Sequence, residues 1–185
     1  MLESVMGRVV NGVVSFASLA FSSFKGNDAE LSIPFITQNR NQIVIESNLK
    51  HAFEQDFYDI FRSGKEIEVW FSVTVEGRGH KLIERNYAHK AKFNPMTRDF
   101  NVVLQEQNYT FTTGNYTTLV NAMSHFEYTW NWRQNASPGQ NVNVTVISYM
   151  KKIKLDAYRE DFDLMMLWKF RKPKVQRGFQ IAHGN

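Results

Sequence analysis

From position 30 to position 104 the chain alternates apolar and polar residues with few interruptions, the period-two signature of half-buried β-strands. In "ELSIPFITQNRNQIVIES", Leu31, Ile33 and Phe35 alternate on one arm and Ile43 and Ile45 on the other, around a polar turn at residues 38–41. Pro34 has no N–H to give to a ladder, which puts the first arm at a sheet edge. The period then changes. In "SNLKHAFEQDFYDIFRSG", Leu49, Ala52, Phe53, Phe57, Ile60 and Phe61 recur at helical spacing, with Ser47 or Asn48 as cap and Gly64 as stop, predicting a helical insert over about residues 49–63.

Strict alternation returns at Ile67, Val69, Phe71, Val73 and Val75, and Gly77, Arg78 and Gly79 turn the chain into a second arm that reaches Phe93. At "HKAKFNPMTRDFNVVLQ", His89, Lys90, Lys92, Thr97, Arg98 and Asp99 crowd together as a catalytic cluster would. Asn94-Pro95 initiates a turn, however, and Phe100, Val102 and Leu104 resume the alternation, so the stretch reads as a hairpin corner. A strand through Phe111 is followed by Gly114 and a short helix over about 115–125 carrying Leu119, Val120 and Met123. "EYTWNW" and "NVNVTVISYMKKIKL" read as strands on either side of the loop "RQNASPGQ"; "LDAYREDFDLMMLW" fits a helix or a bulged strand. The pattern as a whole predicts a mainly β protein, an antiparallel β-sandwich or partly closed barrel with two helical inserts.

The 185 residues divide into an apolar N-terminal segment (1–28), one β-rich domain (29–170) and a basic C-terminal tail (171–185). "RVVNGVVSFASLAF" has the length of an export signal but carries Glu3 ahead of it and several polar residues within; a signal, an uncleaved anchor and a packed amphipathic helix all fit. With no cysteine, disulfides, thiolate metal sites and thiol nucleophiles are excluded. The balance of 22 basic against 18 acidic residues argues against a dedicated nucleic-acid protein, although the basic residues gather in the last third.

"AKFNPMTRDFNVVL" and "YTFTTGNYTTLVNAM" resemble the hairpin turn and the helix entry of a family of uncharacterised bacterial envelope proteins, a domain of unknown function with an Asn-Pro-x-Thr-Arg turn. Met96 stands where that family has Leu, and its acidic residue in the helix entry is absent or replaced by Asn121. The resemblance spans roughly residues 31–155. It implies a periplasmic or membrane-associated location and no particular activity.

Motifs of chemistry are sparse. His51, His80, His89, His125 and His183 form no pair at ligand spacing on one element, "EDFD" lacks the glycine of a calcium loop, and "EGRGH" lacks a following helix. The expectation is therefore no enzyme, no catalytic residues, no metal and no cofactor.

What remains is aromatic and basic: Tyr128, Trp130, Trp132, Tyr149, Trp168 and Phe170, followed by Arg171, Lys172 and Lys174. On a strand, positions 128, 130 and 132 share a face, which is either core or a stacking platform. Tyr128, Trp130, Trp132, Trp168, Phe170, Arg171, Lys172 and Lys174 are the candidate partner-binding residues. The first expectation is a protein-binding or structural module of the bacterial envelope. The alternative is a binder of an apolar small molecule or lipid, in a cavity between the sheet and the Phe-rich helix, or docking at a membrane surface. Single-stranded nucleic-acid binding ranks below both, requiring Trp130 and Trp132 to share an exposed face with the lysines at 151–154. Partner identity and oligomeric state are not written in the sequence.

Overall fold

The computed structural model describes residues 26–54, 57–155 and 160–182. The N-terminal apolar stretch, residues 1–24, lies outside the described residues, as does His183.

The fold is mainly β and antiparallel, two sheets facing each other across one core without closing into a barrel. In the smaller sheet β3 (Gln42–Lys50) is central; β8 (His125–Asn131) pairs along one side of it, and β1 (Glu30–Leu31) and β2 (Phe35–Asn39) follow each other along the other side. The larger sheet has six strands in the order β12-β9-β4-β5-β6-β7: β4 (Glu66–Gly77), β5 (His80–Asn94), β6 (Asp99–Leu104), β7 (Tyr109–Thr113), β9 (Asn141–Met150) and β12 (Lys174–Gln180). A separate hairpin joins β10 (Lys152–Leu155) to β11 (Glu160–Asp163).

Alternation becomes burial most cleanly on β4, where Ile67, Val69, Phe71, Val73 and Val75 are all inaccessible while Trp70, Ser72 and Thr74 between them stay partly exposed. Its neighbour β9 adds Val142, Val144 and Val146 to the same inner face. Across the core, Phe71 stacks on Phe126 of β8 at 4.9 Å and Tyr87 meets Tyr128 at 5.5 Å, which ties the two sheets together. The β4–β5 turn puts Arg78 (φ 53°) and Gly79 (φ 77°) in the left-handed region, the two-residue loop whose twist matches a hairpin. At the next corner Asn94 accepts the Met96 N–H at 3.0 Å and the Arg98 N–H bonds back to the Asn94 carbonyl at 2.8 Å; the polar crowd there is a turn.

Three expectations need correction. The helical insert at 49–63 shrinks to one short helix, α1 (Phe57–Phe61). Leu49 and Lys50 belong to β3, held by Leu31 and Glu30 of β1, and His51 (φ 54°) breaks the strand. A strand end, a bend and a single helical turn together reproduced the helical spacing, because each turns its apolar residue inward. The second insert is where it was expected, α2 (Tyr116–Ser124), with Asn115 capping the Thr118 N–H at 3.0 Å and Leu119 and Met123 buried.

Second, Ile33 and Phe35 do not share the inner face with Leu31. Residues 32–34 leave the ladder, the phase slips, and Leu31 and Ile36 are buried while Ile33 and Phe35 are exposed. Third, the C-terminal stretch is not a tail: Lys174–Gln180 is β12, paired with β9 through seven registered residues. The undecided stretch before it is the β10–β11 hairpin followed by a 3-10 turn, Leu164–Trp168, with residues 156–159 outside the described residues.

Candidate functional site

Most of the residues expected to meet a partner are turned elsewhere. Trp130 faces inward from its rung with Ile43, and Trp132 and Trp168 are as inaccessible. Each buried indole N–H finds an acceptor: Asn135 Oδ1 at 3.4 Å, the Arg40 carbonyl at 3.1 Å and the Ala52 carbonyl at 3.0 Å respectively. Tyr128 is half-buried against Tyr87. The 126–130 face of β8 is thus core, which corrects its use as a platform and leaves the nucleic-acid arrangement of Trp130, Trp132 and lysines unformed. Phe170 is exposed, on the turn after Trp168, where Lys169 and Arg171 reach Asp28 at 2.7 and 3.6 Å. The hydrogen bond from Lys169 holds the Asp28 carboxyl below its usual range.

Lys172 and Lys174 do join an aromatic surface, but it is built from other rings. On the outer face of the six-stranded sheet, Trp70 of β4 and Tyr149 of β9 are cross-strand partners and stack at 6.2 Å with 17° between their planes. The Lys151 ammonium lies 3.6 Å from the centre of the Trp70 ring, and Lys172 lies 5.6 Å from that of Tyr149. Lys174 pairs with Ile147, two residues from Tyr149, and shares this face.

Acidic groups complete the array. Trp70 donates its indole N–H to Glu68 at 2.8 Å, and Lys90 of β5 reaches Glu68 at 2.6 Å and Glu66 at 3.3 Å. Burial pushes the Glu68 carboxyl up, but the bonds from Lys90 and Trp70 outweigh it and the net shift is down; the same bond to Glu68 raises Lys90. A groove lined by Lys65, Glu66, Glu68, Lys151, Lys152 and Ile153 adjoins the platform. Chemically this surface offers flat apolar area with ammonium groups over it, suited to hold carboxylates and apolar side chains together.

Two further arrangements were not anticipated. His89, one residue from Lys90 and pointing inward, has Nε2 2.8 Å from Glu106 Oε1, both side chains with no exposed surface, under the rings of Phe71 and Phe126. Its Nδ1 and the other Glu106 oxygen have no hydrogen-bond partner. A pair so enclosed does not touch a substrate in this conformation. On the outer face of the smaller sheet, Glu46, His125 and Glu127 bring one donor atom each to within 4.8 Å of one another.

No family model, curated protein or solved structure matches this chain at a significant level.

Proposed function

We propose that this chain is a non-enzymatic binding module that holds a protein partner on the outer face of its six-stranded sheet, over Trp70 and Tyr149. The observation that carries the proposal is the stacked pair with lysines laid over it: large rings left partly exposed on a sheet face, each beside an ammonium group. Tryptophan and tyrosine are the usual anchors of protein interfaces. The lysines select an acidic partner segment, whose carboxylates replace water around Lys151, Lys172 and Lys174.

Two features favour a protein over a nucleic acid. Lys151 already covers the Trp70 face on which a base would stack, and Glu66 and Glu68 oppose phosphate. Against a lipid cavity stands the packing of Phe53, whose ring lies 5.1 Å from Phe57, 5.4 Å from Phe61 and 6.1 Å from Trp168, filling the space under α1. An envelope location is part of the proposal and is supported by the turn motif at residues 94–98 alone.

The test is quantitative capture from an extract of the source organism, with wild-type chain, Trp70→Ala, Lys151→Glu and, on the opposite sheet, Phe35→Ala as baits. The expected result is a protein that wild type and Phe35→Ala retain, that Trp70→Ala loses by about 2 kcal/mol or more in a follow-up titration, and whose affinity falls as salt rises. Retention unchanged by Trp70→Ala, or lost only with Phe35→Ala, would sink the reading. Enrichment of nucleic acid or lipid in place of protein would do the same.

A further inference from the structure

The outer face of the smaller sheet has a different chemistry. Glu46 of β3 and Glu127 of β8 are direct cross-strand partners, two carboxylates set side by side where a ladder normally places opposite charges. Among the described residues neither is paired with a lysine or arginine; the imidazole of His125 is within reach, its Nε2 3.9 Å from a Glu127 oxygen.

His125 is itself held. Its cross-strand partner is Asn48, whose side-chain oxygen lies 3.0 Å from Nδ1. An amide oxygen can only accept, so Nδ1 is the donor in this contact, and Nε2 is left turned to Glu127. A hydrogen-bond acceptor on one imidazole nitrogen, with the other nitrogen turned to a carboxylate, is the arrangement that orients a histidine ligand around a metal ion.

From this geometry we infer that Glu46, His125 and Glu127 form a binding site for a divalent cation of the zinc class, with Asn48 as the residue that positions the imidazole. The ion takes Nε2 of His125 and one oxygen from each carboxylate. It relieves the repulsion between the two glutamates and leaves a coordination position open to water or to a donor from another molecule. The imidazole favours zinc-like ions over calcium or magnesium, which prefer an all-oxygen shell. Two alternate rungs on one face of the ladder hold all four residues, so side-chain rotation alone brings the three donors, now within 4.8 Å, to metal-bond distance.

Titrating the full chain with zinc ion alone tests this, by calorimetry together with the ring signals of the histidines in NMR. One equivalent should bind, with the His125 signals the ones that move. His125→Ala and Glu127→Gln should each weaken binding by more than about tenfold, and Asn48→Ala by roughly tenfold. The four side chains are partly exposed, so unfolding curves in the presence of a chelator should show all three variants folded; the two independent ligand substitutions guard against failure of either. Three outcomes overturn the site: no saturable binding up to about millimolar zinc, binding that His125→Ala leaves unchanged, or zinc displaced by equimolar calcium. The platform over Trp70 is on the other sheet, and its variants should leave the zinc titration unaltered.

Discussion

His89 and Lys90 are neighbours on β5 and point to opposite sides of the same sheet, and each reaches a glutamate. The inner pair, His89–Glu106, is 2.8 Å apart with neither side chain exposed; the outer pair, Lys90–Glu68, is 2.6 Å apart with 26% and 22% exposure. Distance ranks the outer pair first, yet physics ranks the inner one far ahead in consequence. Water screens the outer charges and replaces either partner when it is lost. Inside, nothing replaces it, and a deprived partner keeps the whole cost of its burial. The contrast also separates roles: the inner pair belongs to the stability of the fold, and the outer one to the surface on which we place the partner.

The largest expected effect breaks the inner pair. Glu106→Ala leaves the His89 ring without a partner under Phe71 and Phe126 and should lower the unfolding free energy by about 3–5 kcal/mol. Replacing both, His89→Leu with Glu106→Met, should recover stability to within about 1 kcal/mol of wild type or exceed it, since the unpaired Nδ1 and carboxylate oxygen go as well. Urea melts at constant slope measure this. A Glu106→Ala cost below about 1 kcal/mol would put the two pairs on the same footing and end the comparison.

How much of this was readable in advance follows from what alternation encodes. Strand parity is local, so the apolar runs of β3, β4 and β9 showed which residues turn inward. His89 shares parity with Ala91 and Phe93, a signal that it faces the core, but Glu106 comes from the turn after β6 and no local pattern couples the two. Trp70 sits on the polar parity of β4, between Glu68 and Ser72, which marks it as an outward aromatic; its partner Tyr149 lies 79 positions on, and only the β4–β9 register unites them. The zinc-class set has the same character. His125 and Glu127 are two residues apart in the chain, but the sequence pattern ends a helix at about residue 125 and marks no ligand pair there, and Glu46 and Asn48 enter only through the β3–β8 ladder. Helical spacing at 49–61 misled because burial, the quantity that spacing reports, was preserved by a strand end and a bend.

A smaller effect sharpens the outer half of the comparison. Glu68 is lowered, so its contribution to stability is present above the ordinary carboxylate range and is lost as pH falls through its folded value. Lys90 is raised, so its contribution is present below the ordinary lysine range and is lost as pH rises through its folded value. Glu68→Gln should remove the acid limb and shrink the alkaline one, which Glu66 still supports, cost about 1 kcal/mol or less at neutral pH, and cost less still at high salt. Stability curves against pH, with and without added salt, decide it. A cost that salt leaves untouched would make the outer pair behave like the inner one.

The smallest effect concerns a third buried polar group, one with no partner at all. The Tyr116 hydroxyl of α2 is enclosed and unbonded among Tyr58 and Phe61, and its pKa is pushed up to about 12, first by burial and then by the charge of Asp59 and by Tyr58. Its neutral form is the one the fold accommodates. A group raised in this way adds nothing to lose at neutral pH but draws stability down as pH climbs from the ordinary tyrosine value near 10 through 12. Tyr116→Phe keeps the ring and removes an oxygen that has no hydrogen bond. It should therefore be neutral or raise the unfolding free energy by up to about 1 kcal/mol at pH 7, and should flatten the alkaline fall between pH 10 and 12. Were Tyr116→Phe instead to cost as much as Glu106→Ala, the hydroxyl would have to hold a bond of its own. The rule drawn from His89 and Lys90, that removing one member of an enclosed pair is what costs most, would then fail at a residue where no pair exists to break.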